Sequence, residues 1–326
     1  MTRIALLLAG LCAAAVTLSG HPCIAQGSQF PTRPIQLVVP FPPGGSADFV
    51  ARILADRMSA SLGQQVAVVS RPGAAGTVGT QFVATAPADG YTLVLTSVGA
   101  LVLSSAMSKK SPYDTLRDFV PISLAAKVYE ITVASRASGL HSLAELVAAA
   151  KQRPGKLTYG STGIGSLPHV AGELLTLEAG IDLVHVPYTG GATAMSDLLA
   201  GRIDVLIADL PAYLPLIASG AVAALSVNSA ERASSLPNVP TAAESGFPAL
   251  IADNWYGLLA PAQTSRPVVD TISKAVIAAL SDTKVKQDLA RGGATAIAQS
   301  PEQFSSYLAA EQAKWSAVIK RAHIPM

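Results

Sequence analysis

The sequence predicts an α/β protein built from two units, each with a mostly parallel β-sheet flanked by helices. Strand-like and helix-like segments alternate almost throughout the chain, a pattern typical of parallel sheets covered by helices. Two glycine-rich loops, at 44–46 and 160–166, each connect a predicted strand to a predicted helix. Because the chain has 326 residues, it is long enough to divide into two such units.

The predicted strands are short apolar runs with many β-branched residues. They lie at 35–39, 66–69, 91–96, 157–160, 182–186, 203–208 and 222–227. The uncharged stretch 90–108 approaches the length of a membrane span. Because it contains two glycines and several serine and threonine residues, it is interpreted as a strand, a loop and a helix.

The predicted helices follow from apolar periodicity and from capping residues. They cover 47–62, 79–86, a segment from 142 to 153, a segment from 166 to about 180, 193–200, 213–219 and a long terminal segment from 301. Ser142 with Glu145, and Ser300 with Gln303, have the spacing of a capping box, in which two side chains satisfy free N–H groups at a helix start.

The N-terminus resembles a secretory signal peptide. Arg3 is followed by an apolar run at 4–18, and small residues precede a cleavage site after Ala25. Removing 1–25 would also remove Cys12 and Cys23, so the mature chain would have no thiol and no disulfide. A membrane anchor and a lipoprotein are the alternatives, but the run is short for a span and neither cysteine has a convincing lipidation context.

The composition argues against several classes of function. Only 13% of the residues are charged and the net charge is +2, without a basic block, so nucleic acid is not an expected partner. No spacing of His, Cys, Asp and Glu indicates a metal site, and no cofactor is predicted.

The first glycine loop, Gly44-Gly45-Ser46, is an anion-site candidate. Glycine allows close backbone approach, and the following helix start offers free N–H groups and the positive end of a dipole. The alternative is purely structural: the glycines form a turn and Ser46 caps the helix. No lysine follows the glycines, so the loop does not match a phosphate-binding P-loop.

The second loop, 160–166, adds three hydroxyl groups that can donate to carboxylate oxygens. Its glycines do not follow the dinucleotide-binding order G-x-G-x-x-G, nor does it match the G-x-S-x-G nucleophile elbow. An exported hydrolase or lyase that uses Ser161 or Ser166 with His169 is the enzymatic alternative. His169 and His185 are more simply explained as packing residues.

The mature N-terminal segment, which contains "PFPPGGSAD", resembles the start of the Bug (TctC-like) receptors. These are periplasmic solute-binding proteins of tripartite tricarboxylate transporters. Further matching blocks lie in order along the chain, at 30–35, 71–76, 88–93, 112–114, 159–166, 186–188, 197–201, 244–248 and 255–261. The resemblance implies a periplasmic protein with a two-lobed type II periplasmic-binding fold and two crossover strands. One lobe would comprise 26–125 and 251–326, the other 126–250, and the lobes would close on a ligand by hinge motion.

The resemblance also implies a ligand site in the cleft between the lobes. From the first lobe it would use Phe41, Pro42, Gly44, Gly45 and Ser46, with Thr96 and Ser97 at a strand end. From the second it would use Ser161, Thr162, Gly163 and Ser166, with Tyr188 and Asp209 as weaker candidates. Family members often carry an Asn-Pro pair where this chain reads Leu103-Ser104-Ser105-Ala106, so the chain departs from the family's pattern there and offers no side-chain amide.

The predicted function is therefore a non-catalytic, monomeric receptor for a small organic acid, working with membrane subunits of a tripartite tricarboxylate transporter. Two hydroxyl- and amide-rich loops without a fixed cation suit a carboxylate, because charge-assisted hydrogen bonds are stronger than neutral ones. Di- and tricarboxylates, aromatic carboxylates and acidic amino acids all fit this description. A ligand-sensing subunit of a signalling system is a further alternative.

Overall fold

The computed structural model describes residues 30–107 and 111–322. The predicted signal peptide and its cleavage site lie outside these residues. The described chain forms two sheets, called sheet A and sheet B below, each with helices on both faces. The predicted α/β class is confirmed. None of the helices in the described ranges combines the length and apolar character that a membrane span requires.

Sheet A contains the strand order β11-β4-β10-β3-β1-β2. Its strands are β1 (Ile35–Val39), β2 (Val66–Ser70), β3 (Thr92–Ser97), β4 (Phe119–Val128), β10 (Asn254–Pro261) and β11 (Ala294–Ala296). Sheet B has the order β7-β6-β8-β5-β9. Its strands are β5 (Glu130–Ser135), β6 (Thr158–Ser161), β7 (Val184–Pro187), β8 (Val205–Asp209) and β9 (Val222–Val227).

Both sheets are mixed, which differs from the expectation of mostly parallel sheets. Strand β1 pairs in parallel with β2 and β3, and β6 pairs in parallel with β7 and β8. Strand β10 is antiparallel to β3 and β4, and β5 is antiparallel to β8 and β9. The chain leaves sheet A along β4 and returns along β10. These neighbouring strands therefore run in opposite directions, and the sheet cannot be parallel throughout.

The chain passes between the sheets twice. Only Tyr129 separates β4 from β5, so the first crossing is almost continuous. The second runs through the segment after β9, where Ala252 N–H donates to the carbonyl of Asn228 shortly before β10 begins. Below, the sheet A unit means sheet A with its packed helices, and the sheet B unit means sheet B with its own.

The helices are α1 (Ser46–Leu62), α2 (Thr77–Ala84), α3 (Ser104–Met107), α4 (Leu143–Gln152), α5 (Leu167–Ala179), α6 (Gly191–Leu199), α7 (Leu214–Ala218), α8 (Arg266–Ser281), α9 (Thr283–Arg291) and α10 (Pro301–Ala322). A π-helical turn, Gly99–Leu103, precedes α3. Both predicted capping boxes form: the Ser142 side chain accepts from Glu145 N–H, and that of Ser300 accepts from Gln303 N–H.

One apolar cluster joins the two units. It includes Leu101 and Trp255 of the sheet A unit and Tyr159 and Leu167 of the sheet B unit. Helix α10 covers this side. Its buried Glu311 accepts hydrogen bonds of 3.0 Å from the indoles of Trp255 and Trp315. The carboxylate therefore satisfies two indole N–H groups that would otherwise be buried without an acceptor.

Candidate functional site

A cavity of about 390 Å³ lies between the two units. The sheet A unit contributes the stretch 41–47, Ala75, Ser97, Gly99, Asn254 and Tyr256. The sheet B unit contributes Thr162, Ser166, Leu167, Pro168, the stretch 190–192, Met195, Ser196, Ala208, Asp209, Ala212 and Tyr213. Among the residues that the structure describes, the lining contains no lysine, arginine or histidine, and Asp209 is its one ionisable carboxyl group.

Three helices begin at the cavity wall. The residues at the starts of α1 (Gly45 and Ser46), α5 (Ser166 and Leu167) and α6 (Gly190 and Gly191) all line it. The first N–H groups of a helix have no acceptor within the helix, and they carry the positive end of its dipole. Three such starts around one cavity can stabilise an anion without a cationic side chain.

The first loop is held by Asp48. Its Oδ2 accepts from Gly44 N–H at 3.0 Å and from Arg52 Nε at 2.8 Å. Burial by itself would raise the pKa of Asp48, but the hydrogen bonds from Arg52 and Gly44 outweigh it, so the pKa is lowered. Gly44 has φ +83°, a conformation that favours glycine. Asp48 therefore stabilises the loop and does not line the cavity.

The structure distinguishes the two interpretations of Ser46. Gly45 is the residue before α1 and provides no side-chain cap, while Ser46 is the first helical residue. Ser46 is buried and lines the cavity. Burial raises the pKa of the Asp209 carboxyl across the cavity, and Ser46 is one of the hydrogen-bonding side chains that partly offset this rise. The cap interpretation of Ser46 is wrong, because the helix begins at Ser46 itself, one residue earlier than a serine cap at this position requires.

The second loop uses its hydroxyls differently from the first. The Ser166 side chain caps α5 by accepting from His169 N–H at 3.3 Å, and its hydroxyl donates to the Gly163 carbonyl at 2.6 Å. Thr162 also lines the cavity. Ser161 is fully buried and its Oγ lies 2.7 Å from His185 Nε2.

A buried aromatic stack lies behind this loop. His185 stacks on Tyr159 and on His169, with ring centroids 4.8 Å and 4.4 Å apart. Burial, reinforced by the neighbouring His169, lowers the pKa of His185 to about 4, and burial also lowers the pKa of His169. Neither histidine lines the cavity. Ser166 is bonded to the backbone of His169 and not to its ring, so the predicted Ser–His hydrolytic pair does not form.

Nine of the thirteen residues predicted for the site line this cavity. They are Phe41, Pro42, Gly44, Gly45, Ser46, Ser97, Thr162, Ser166 and Asp209. The other four do not line it.

Each of the four is engaged elsewhere. Thr96 is fully buried, with its hydroxyl 3.1 Å from that of Thr80. Ser161 is buried against His185. Gly163 and Tyr188 line a neighbouring groove, and the Tyr188 hydroxyl donates to Asp197 at 2.8 Å.

Sixteen of the 25 lining residues were not predicted from the sequence, and three of them carry polar side chains close to Asp209. Asn254 and Tyr256 lie on β10 where the chain re-enters sheet A, and Tyr213 follows β8. The sequence offered one indication of this: Asn254 and Tyr256 are both polar and flank the buried Trp255, so on a strand they share a face. Only the pairing of β10 with β3 brings them beside the first loop.

The two units touch across the cavity at glycines. A Cβ added to Gly190 would lie 2.7 Å from Pro42 Cγ, and one added to Gly99 would lie 3.5 Å from Ser166 Cα. A Cβ on Gly163 would lie 3.5 Å from Ala75 Cβ. The structure is therefore one in which the units are closed on each other, and glycine permits the closest of these contacts.

Comparison with known proteins agrees with this architecture. The family model described as "Tripartite tricarboxylate transporter family receptor" matches residues 50–324. The chain belongs to this receptor family. A structure of the periplasmic binding protein BugD is 34% identical, with a TM-score of 0.87 over 91% of this chain and 99% of that one. The predicted Bug-like relationship and two-lobed binding-protein fold are confirmed.

Two further solved structures contain organic acids. Rpa4515 of R. palustris with adipate is 34% identical, with a TM-score of 0.88 over 91% of this chain and 100% of that one. MatC from Rhodopseudomonas palustris with bound malate is 30% identical, with a TM-score of 0.85 over 89% and 100%. The family and these structures represent ligand-binding receptors and not enzymes, so the hydrolase alternative is not favoured.

Proposed function

We propose that this protein is an extracytoplasmic receptor that captures a small organic acid in the cavity between its two units. The proposal rests on three helix starts that meet at one cavity, whose lining within the described ranges has no cationic side chain. Free backbone N–H groups and the Ser97 and Thr162 hydroxyls would bind the acid's carboxylate oxygens. The adipate and malate bound to two relatives support this ligand class.

The thirteen residues predicted from the sequence divide into two groups in this proposal. The nine that line the cavity would contact the ligand or its water shell. Thr96, Ser161, Gly163 and Tyr188 would act indirectly, by fixing the strand ends and loops on which the lining residues lie. We further propose that closure of the units is coupled to binding, because both units line the cavity.

The remaining parts of the proposal concern the whole chain. The lobes would correspond to 26–125 with 251–326 and to 126–250, which places the first boundary three residues before the end of β4 at Val128. Cleavage after Ala25 would deliver a monomer to the periplasm, where membrane subunits of a tripartite tricarboxylate transporter would receive the ligand. The family match supports that partnership.

A thermal-shift screen of the mature chain tests the binding function. A ligand that binds only the folded state raises Tm by an amount that grows with concentration. Succinate, malate, glutarate, adipate, citrate, benzoate, aspartate and glutamate cover the candidate classes. Trp255 lies between the cavity residues Asn254 and Tyr256, so its fluorescence provides a second readout. A panel that changes neither Tm nor fluorescence contradicts the proposal.

Gly45→Leu is a variant that should lose ligand binding, and Ala262→Leu is its control. Gly45 has φ −87°, and a Cβ there would meet only the Pro42 carbonyl oxygen, at 3.8 Å. Leucine therefore fits the backbone, but its side chain would occupy space at the start of α1. We expect the Tm response to disappear. Ala262→Leu adds the same side chain at an exposed turn and should retain the response. Binding by Gly45→Leu at wild-type strength would place the ligand elsewhere.

A further inference from the structure

Asp209 lines the cavity, and a second carboxyl group, that of Glu130, is buried beside it. Glu130, the first residue of β5, is directly opposite Asp209, the last residue of β8, in an antiparallel register. Directly opposed side chains share a face of the sheet, with Cβ atoms about 5 Å apart. Glu130 is completely buried, and neither of its carboxyl oxygens has an N–H or O–H partner within the described chain.

The surrounding donors assign the charge to Asp209. Its Oδ1 accepts from Asn254 Nδ2 at 2.8 Å, and its Oδ2 accepts from the Tyr256 hydroxyl. Two buried carboxyl groups in contact cannot both be ionised without a large cost, so one of them holds a proton. Glu130 has no donor to stabilise its charged form, and Asp209 has at least two. The proton is therefore assigned to Glu130, whose side chain is directly opposite Asp209 in the strand pairing.

The other titratable groups around the pair reinforce this assignment. Burial, and then the charges of Asp209 and Asp253, raise the pKa of Glu130 well above its usual range. Tyr213 and Tyr256 stay neutral, because burial and the nearby Asp209 carboxylate raise the pKa of both. Burial also raises the pKa of Asp209, but hydrogen bonds from Tyr256 and Asn254 oppose that rise, whereas no such donor opposes it at Glu130. Among the described residues, no histidine, lysine or arginine contributes to the pKa shift of either carboxyl group.

The cavity is consequently dipolar. Three helix starts make part of its wall electropositive, while Asp209 places a fixed negative charge at its floor. A dicarboxylate has no group to compensate that charge. An ammonium group would compensate it, and the neighbouring aromatic rings of Tyr213 and Tyr256 also suit a cation. An acid that carries both an anionic and a cationic group can place the anionic group at the helix starts and the cationic group beside Asp209.

We propose that Asp209 makes the cavity selective for organic acids that also carry an ammonium group, with Glu130 as the positioning residue that supports the charged carboxylate. This inference rests on the proposed function and narrows its ligand class from organic acids in general to amino-acid zwitterions. Asp209 recognises the ammonium mainly by charge, since protein donors already occupy part of its hydrogen-bonding capacity.

The test compares acids of equal carbon number with and without the ammonium group. Calorimetric titration of the mature chain would measure Kd for succinate against L-aspartate and for glutarate against L-glutamate. We expect the amino acid to bind at least about tenfold more tightly in one pair. Equal or tighter binding of the diacid overturns the inference and leaves the proposed function intact. If no organic acid binds at all, the proposed function itself fails.

Two variants test which residue causes the preference for the amino acid over the diacid. Asp209→Asn keeps the side-chain shape without the charge, and should reduce the preference to within about twofold. Glu130→Gln replaces a protonated carboxyl with a neutral amide that can still donate, and should keep the preference. A Glu130→Gln variant that loses the preference while Asp209→Asn keeps it would overturn the assignment of charge.

A competing explanation is that the Glu130–Asp209 pair takes up a proton when a diacid binds. Calorimetric titration of the diacids in two buffers of different ionisation enthalpy tests this. If the carboxyl pair were neutralised on binding, succinate would bind tightly with uptake of a proton, and the measured heat would depend on the buffer. That result would also overturn the inference. Circular dichroism and the unfolding midpoint without ligand check that each variant is folded. The wild-type comparison remains decisive if a variant does not fold.

Discussion

Adding a single methyl group at Gly190 should prevent closure of the two units without preventing folding. The backbone there has φ 168° and ψ 170°, an extended conformation that alanine can adopt. Its Cβ would lie 2.7 Å from Pro42 Cγ and 3.0 Å from Pro42 Cδ. Pro42 is on the opposite unit, and its ring cannot rotate away. Gly190→Ala therefore conflicts with the closed arrangement and not with the fold of its own unit.

The magnitude follows from the cost of overpacking. Forcing one extra carbon into a filled contact typically costs about 1–3 kcal/mol. If the ligand is bound only when the units are closed, the cost appears in Kd as a weakening of roughly fivefold to 150-fold. Calorimetric titration with the tightest acid of the panel measures it. Gly190 also precedes α6, where alanine is a poor cap, so Gly190→Ser is a second variant that restores capping but retains the Cβ.

A double-mutant cycle identifies the contact. Pro42→Ala removes the Cγ and Cδ atoms that meet the added methyl group, so in that background Gly190→Ala should weaken binding by less than about twofold. Leu199→Ala, at the exposed end of the same helix, should leave Kd unchanged. If Gly190→Ala binds within about twofold of the wild type, closure against Pro42 is not part of ligand capture.

The remaining predictions separate stability from binding. Gly44→Ala and Gly63→Ala both place alanine at positive φ in open space, so each should lower the free energy of unfolding, measured by chemical denaturation, by about 1 kcal/mol. Only Gly44→Ala should also weaken ligand affinity, because Gly44 lines the cavity and Gly63 does not. Equal affinity in both variants would exclude the first loop from the site. Glu311→Leu should lower the free energy of unfolding by about 3 kcal/mol without changing Kd, because it leaves two buried indole N–H groups without an acceptor. An unchanged denaturation midpoint would contradict that role. The folded-state pKa of His185 is about 4, so its unfolded form binds more protons between pH 6.5 and 4 and stability falls as pH drops through that window. Between pH 6.5 and 4, the wild type should therefore lose about 1–2 kcal/mol more of its free energy of unfolding than His185→Gln does. This figure is smaller than the full pKa shift would give, because the His185 ring is only half-buried and solvent screens its charge. Parallel pH profiles for the two proteins would refute it.

The sequence predicts the local elements of this fold well because their signals are local. Both capping boxes, the helix ending before Gly180 and the strand at Ile35–Val39 follow from residues a few positions apart. Strand β10 carried a weaker local signal: only Asn254 and Tyr256, on either side of Trp255, hint at its faces, and all eight of its residues are buried. Its position depends on pairing with β3 and β4, which are distant in sequence.

The same distinction applies to the candidate site. The two glycine loops could be identified because each is one continuous segment at a helix start. Gly190 and the pair Glu130–Asp209 depend on which strands become neighbours and on which unit faces which loop. The family resemblance implied that Ser161, in the hydroxyl-rich second loop, lines the cavity, but its side chain instead contacts His185. A strand alternates its faces at every residue, so a hydroxyl-rich run necessarily divides between cavity and core.

The most direct test of the central claim is the response of backbone amides to ligand. Amide NMR spectra of the mature chain, recorded with and without the tightest acid of the panel, would report which N–H groups gain an anionic acceptor. We expect the largest amide chemical-shift changes at the three helix starts, near Ser46, Leu167 and Ala192. Large shifts confined to other surfaces, with these three amides unmoved, would contradict a carboxylate site between the two units.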